Sequence, residues 1–556
     1  MAPSALPNHT RNPWAWLPPA AILMALAWMP GLVSASSARF FLYAGLLPAI
    51  TWWSWWRAPC KLPHLLMPLA LLVLLAISYL PHVSYLREGL HATLTLWAFT
   101  WAAAAAFAYT RTAPDHARAC IAEATAICGS LIALPTLLPQ VDSGGTLANP
   151  TLLGTLCALT ALWTIARLLV LAPPLTPARR LLLACALALQ GYAAFATQAL
   201  LPLAMLILGA TPLLLIHWRN AAPAHRRRLT FGALPLLIIA TTFLAYSQAT
   251  PISDHLHSRH FMARLTSRAI AEAPLLGHGP GTFPRIWAEQ QALHFVNDAN
   301  LHHRPYWTHA HHAHNLALHL WAELGLLAPI LFFLPFIGLM RHPRANPCWA
   351  IALATLPALA FSVPLEEPIT AFLIAITLGS GLATAKSDKR PAPPPASRRP
   401  LQLIPLPLLL LALLLSASHL VGDRLLAYGV DHTSPSALAA AERFSLHPAH
   451  AMRHRAAILR VVQSEAAHPL AQAAAQRDPS PAAYLAWGVA AASAHREDIA
   501  VRAFHQALRL QPWFFSAHFN LALIHEAMGQ RELAQRHATR ARSLRPTDPR
   551  LQRLPY

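Results

Sequence analysis

Long apolar runs broken by short polar loops fill the first 420 positions of the chain. A helix needs about 20 apolar residues to cross the hydrocarbon of a bilayer. By that measure the pattern predicts spans near 14–33, 38–56, 63–81, 90–110, 119–139, 147–171, 181–197, 199–217, 229–248, 313–340, 346–363, 366–384 and 401–420. The 181–217 stretch also reads as a tight hairpin or a partly re-entrant segment. Hydropathy drops in two places, a segment over 249–312 and everything after 420. The expected fold class is therefore all-α: a polytopic membrane body of about 12–13 helices, a large polar loop and a polar helical tail.

The tail repeats. AFHQALRLQP ends at Pro512 and HATRARSLRP at Pro546, 34 residues later, with ERFSLHP ending at Pro448 and AAAQRDP at Pro479 upstream. Proline cannot continue the helical hydrogen-bond ladder, so each is expected to close the second helix of a unit. A 34-residue period of Ala-rich helices resembles tetratricopeptide repeats. Tyr484, Trp487 and Gly488 suit the first helix of one unit, and Phe519, Leu521 and Ala522 the same places in the next. Such arrays usually bind proteins.

Composition supports a membrane body: 55% of the 556 residues are hydrophobic and 12% charged. The net charge of +20 is spread in short clusters between apolar runs, without a nucleic-acid-binding motif, so no nucleic-acid partner is expected. With the N-terminus inside, alternate loops carry Arg57 and Lys61, Arg111 and Arg118, Arg179 and Arg180, Arg219 with Arg226 to Arg228, Arg341 and Arg344, and the basic linker 385–400. The opposite short loops hold Arg39, Arg87 and little else basic, as the positive-inside rule requires. The loop 249–312 and the tail 421–556 then lie outside. The N-terminal run with Trp14, Trp16 and Trp28 reads as a membrane anchor rather than a cleaved signal. None of the six cysteines has CxxC spacing, so neither a disulfide nor a zinc site is expected from them.

Chemistry concentrates in the exported loop. It holds Arg259, Arg264, Arg268, Arg285 and Arg304 and ends in HAHHAHN, with His309, His311, His312 and His314 ahead of an apolar helix. An arginine fork matches phosphate oxygens, so the cluster suits a phosphorylated ligand; a solvated or headgroup-facing loop is the plainer alternative. The histidines allow three readings: metal ligands, solvated interfacial rings, or one ring with an acid–base or diphosphate-binding role. The run carries no partner cysteine or nearby carboxylate, so no metal and no cofactor is expected. Asn315 is a natural helix cap, and backbone N–H groups at that helix start favour an anion.

At these residues the chain resembles the O-antigen ligase superfamily. His314 and Asn315, nine further residues, then Gly325 and Ala328 resemble its H-N-x9-G-x-x-G/T/V signature, with Ala328 departing at the last place. Residues 258–283, SRHFMARLTSRAIAEAPLLGHGPGTF, resemble the family's arginine, amphipathic helix and glycine-rich turn, placing Arg259 on the family arginine. LEEP, with Glu366 and Pro368, and GTLANP at 145–150 are similar to motifs of the pilin-type O-oligosaccharyltransferase branch. Thr151 and Leu152 depart from the Asn and His of that branch, and Ser362 stands where a histidine is expected.

The resemblance implies a bacterial inner-membrane enzyme that moves a glycan from undecaprenyl diphosphate to a hydroxyl of a periplasmic acceptor. That acceptor is Ser or Thr of a pilin-like protein or, alternatively, lipid A core or a growing glycan. The partners implied are the lipid-linked glycan, the acceptor, membrane lipid and a protein docked on the repeats. A transporter of an anionic substrate is the reading from another class, and a repeat-bearing assembly scaffold a further one. His314 and Arg259 are the expected catalytic residues; Arg264, Asn315, Glu366 and His311 are expected to bind substrate. Arg259 and Arg264, little more than a turn apart, are expected to face one diphosphate, while His314 either accepts the hydroxyl proton or holds phosphate. Glu366 reads equally well as an interfacial cap of the helix that follows. The domain plan is 1–248 membrane helices, 249–312 periplasmic loop, 313–384 membrane helices, 385–400 cytoplasmic linker, 401–420 last span and 421–556 periplasmic repeats.

Overall fold

The computed structural model describes residues 17–18, 20, 39–57, 86–112, 114–137, 150–197, 199–220, 252–340, 346–362, 365, 367–383 and 406–554. The expected spans 14–33, 63–81 and 229–248, the linker 385–400 and Glu366 lie outside that set wholly or for the most part. All described regular structure is helical, so the protein is an all-α polytopic membrane protein.

A π-helical turn at Phe41–Leu46 opens into α1 (Leu47–Arg57). There follow α2 (Leu86–Thr112), α3 (Pro114–Ala133), α4 (Pro150–Leu169), α5 (Pro177–Ala196) and α6 (Leu200–Asn220). After the polar segment come α7 (Ile252–Glu272) and α8 (Phe283–Phe295), then α9 (Leu316–Leu324) and α10 (Leu327–Met340). The membrane body closes with α11 (Cys348–Phe361), α12 (Pro368–Leu382) and α13 (Leu406–Asp431). Among the described residues five helices are long and apolar enough to cross a membrane: 89–111, 114–137, 150–169, 200–220 and 406–431. The apolar helices α10, α11 and α12 are shorter.

Small side chains set how closely these helices approach. Ala98, Ala102, Ala105 and Ala106 of α2 are fully buried, and α2 packs along α12, whose Ala371 and Ala375 are buried too. Lipid tails are as apolar as leucine, so close packing and buried polar links drive such association. Here Trp163 donates from Nε1 to Thr377 Oγ1 at 3.0 Å, and Gln190 donates to the Ala126 carbonyl at 2.9 Å while accepting from Thr164. Arg167, 2% exposed, meets Glu123 at 2.9 Å and donates to the Leu171 and Pro173 carbonyls. A buried guanidinium needs that set of partners to offset its lost hydration.

Two boundaries differ from expectation. The apolar run 313–340 is not one helix, because Gly325, at φ 80°, ends α9 and α10 starts two residues later. The last span does not stop at 420; α13 continues to Asp431, and its Ser418 donates to the Phe444 carbonyl of the tail.

The tail is a stack of helical hairpins. α14 (Pro435–Phe444) leads into α15 (Pro448–Val462) with α16 (Ser464–Arg477), α17 (Pro481–Ser493) with α18 (Glu497–Leu510), and α19 (Phe515–Ala527) with α20 (Arg531–Leu544). The first helices start 33 and 34 residues apart. Pro479, Pro512 and Pro546 follow second helices, whereas Pro448 opens a helix as its first residue, a place where the missing N–H is no loss. Phe504 of α18 fills the space beside Gly488 of α17, with Trp487 alongside.

Candidate functional site

The site begins at the break between α9 and α10. A Cβ on Gly325 would strike the Leu275 carbonyl, and one on Gly277, at φ 70°, would strike the Glu323 backbone. The Pro274–Gly281 turn therefore lies directly on the end of α9, joined by His278 N–H to the Ala322 carbonyl and Leu326 N–H to the Pro274 carbonyl. Only residues without a side chain permit that approach in the left-handed region. Glu323 closes the arrangement. Its carboxylate, 4% exposed, accepts from the Gly281 N–H at 2.9 Å and the Phe283 N–H at 3.0 Å, with His319 Nε2 at 3.8 Å. An acid at that place fixes the turn and the start of α8, since each ionic hydrogen bond to a buried N–H is worth roughly 1.5–3 kcal/mol.

At the other end of α9, Asn315 caps the helix by accepting the Leu318 N–H at 3.0 Å. His314 just before it has φ 50°. A β-carbon in that region costs about 1–2 kcal/mol, which surrounding structure must offset, and such residues cluster at functional sites. Burial, then the neighbouring His312, Arg259 and His319, push the His314 pKa down to about 3. The ring is therefore neutral at physiological pH. Arg259, half-buried on α7, is close enough to contribute to that shift, and burial lowers its own pKa. Among the described residues no carboxylate forms an ion pair with Arg259.

The histidine run divides between two surfaces. The His312 and His314 rings stand 4.1 Å apart on the Arg259 side. His309 and His311, 4.9 Å apart, face the tail: His309 Nε2 is 3.3 Å from Asp478, which Arg453 also approaches. Burial tends to raise the Asp478 pKa, but His309 and Arg453 bring it down to about 2. His311, expected to bind substrate, is near His447 and His450 of the tail instead.

Arg264 also differs from expectation. Five residues along a 3.6-residue helix turn it about 140° from Arg259. It lies 3.1 Å from His260 and joins Arg268, His294 and His303 around Phe261, a second basic cluster in which burial and its neighbours press His294 to about 4. Arg259 and Arg264 therefore do not point at one ligand. The role read for Glu366 falls outside the described residues; its neighbour Glu367 precedes α12 and interacts with Arg39.

The sequence reading missed Glu323 and His319. Their i, i+4 spacing in an otherwise apolar helix was the available signal. It also missed that the tail covers the loop. Trp307 donates to the Leu510 carbonyl at 3.0 Å, Phe295 meets Trp513 edge-on at 5.0 Å, and Arg304 lies 5.2 Å over the Trp513 ring. Below the site an apolar cleft between α2 and α9–α10 is lined by Leu96, Phe99, Thr100, Leu320, Ala328, Leu331 and Phe332.

Residues 183–333 match the family model for O-antigen ligase. The match is just over a quarter of the chain, from within α5 to within α10, and it takes in Arg259, the 274–281 turn, His314, Glu323 and Gly325. A search of curated proteins returns no match. The O-antigen ligase match and the geometry thus fall on the same residues.

Proposed function

We propose that the chain is a glycosyltransferase of the O-antigen ligase type, which transfers a glycan from undecaprenyl diphosphate to a hydroxyl acceptor outside the bacterial inner membrane. The observation that carries this reading is the half-buried Arg259, without an ion-pair partner among the described residues, beside a neutral His314 held at positive φ. A desolvated cation with an adjoining neutral base suits an anionic leaving group next to an incoming hydroxyl. The acceptor oxygen bonds to sugar C1 as the C1–O bond to phosphate breaks, and the bonding electrons leave on the diphosphate. Arg259 neutralises that growing charge. His314 takes the acceptor proton or holds a phosphate oxygen, and a bound diphosphate raises its pKa by opposing charge, which makes it a better base.

Within this chemistry a pilin-like protein is the acceptor we favour, because a tail of tetratricopeptide-like hairpins borders the site. Lipid A core is the second reading, equally compatible with the O-antigen ligase match. The test is transfer in cells making one labelled lipid-linked glycan, offered either acceptor. His314→Ala and Arg259→Ala are each expected to lower transfer by at least ~10²-fold, at unchanged protein and donor-lipid levels. Full transfer by either variant refutes the site.

A further inference from the structure

The geometry points to a transition-metal site in the last repeats, where His505 of α18, His525 of α19 and His537 of α20 converge to hold a divalent ion of the zinc type. Each offers one ring nitrogen, and the three nitrogens lie within 4.8 Å of one another. Three imidazoles on a zinc ion, at about 2.0–2.1 Å each, need nitrogens roughly 3.4 Å apart. The three rings sit on three successive helices, with the His525 and His537 rings parallel, 5.7 Å apart.

The surroundings set the tautomers that a metal needs. His518 Nε2 donates to the Pro512 carbonyl at 3.0 Å, which leaves its Nδ1 to accept from His537 Nδ1, also at 3.0 Å. His525 Nδ1 donates to Gln530 Oε1 at 2.6 Å. Both rings therefore keep an Nε2 lone pair free, with the outer hydrogen bond that orients metal-bound histidines. His525 is buried and His505 exposed, so the fourth coordination position opens to solvent. Arg536 and Arg540 lie nearby and oppose a cation, but both are exposed and screened by water. An all-imidazole set selects zinc, copper or nickel over magnesium and calcium.

Bound there, the ion ties α18 to both helices of the final hairpin. This inference is independent of the glycosyltransferase reading. The test uses the full chain in detergent, stripped with chelator and titrated with zinc chloride, reading bound metal and unfolding temperature. We expect zinc, and not magnesium, to raise the unfolding temperature. His505→Ala should remove one equivalent of bound zinc while leaving the metal-free unfolding temperature unchanged. His525→Gln should do the same to binding, and His311→Ala, in the other histidine-rich region, should bind as the unaltered protein does. Equal stoichiometry and affinity in His505→Ala and the unaltered chain overturn the site, as does the absence of zinc binding to the unaltered chain.

Discussion

His314 stands at positive φ directly before a capped helix, so its backbone is held by the structure on either side of it. Preorganisation of that kind is what a reacting group requires. Glu323 does for the turn what Asn315 does for the helix start: it converts bare N–H groups into fixed hydrogen bonds. Glu323→Gln keeps the shape but replaces one acceptor oxygen with a donor facing a donor. The expected result is a loss of about 1–3 kcal/mol of stability, read by thermal unfolding, together with reduced transfer. Unchanged values in both would show that the carboxylate merely fills space. His314, Asn315 and Arg259 were legible in the sequence because they stand in a spaced motif. Glu323 was not, because its partners Gly281 and Phe283 come from a turn some forty positions earlier.

At the level of elements, the break between α9 and α10 decides the geometry. Hydropathy alone reads 313–340 as one long span, since nothing in its apolar content records a turn. The structure stops α9 at Gly325 because the 274–281 turn crosses there too closely for any side chain. Gly325→Ala is expected to disrupt the site outright. A residue with a β-carbon at φ 80° and ψ 179° costs about 1–3 kcal/mol, and the added methyl group also meets the Leu275 carbonyl. The check is the yield of folded protein in detergent by size-exclusion chromatography; a normal yield with full transfer would mean that the turn can move away. The same scale explains Arg264. Near neighbours in sequence share a helix face only at three or four residues, and five places it with His260 and His294 instead.

Across the whole molecule, the tail and the loop are joined by an aromatic and ionic seam. Trp307, Phe295 and Trp513 form its apolar part; His309, Arg453 and Asp478 form its charged part, with Arg87 of α2 donating to the Glu442 carbonyl at 2.8 Å. Acid should weaken the fold beside this seam. His447 is held down to about 4 by burial, then by His419, His450 and His311, against the pull of Asp478. His294 and His314 are likewise depressed. Below pH ~6.5 the unfolded chain takes up protons that these rings refuse in the folded state, so stability is full above that value and falls toward pH ~4. Asp478, near 2, titrates well below this window and keeps its contribution. The unfolding temperature of the full chain should drop by several degrees between pH 7.5 and 5; a flat profile would mean that the rings remain hydrated.

The sequence alone determined the all-helical membrane body and the repeating tail, because apolar run length and period are properties of neighbouring residues. It also marked the histidine and arginine that the structure brings together. Only the tertiary structure decided that α9 is short, that the histidine run serves two surfaces, and that the tail lies on the loop. Each of those depends on side chains meeting across long separations, where the geometry of close packing, not local preference, selects one arrangement.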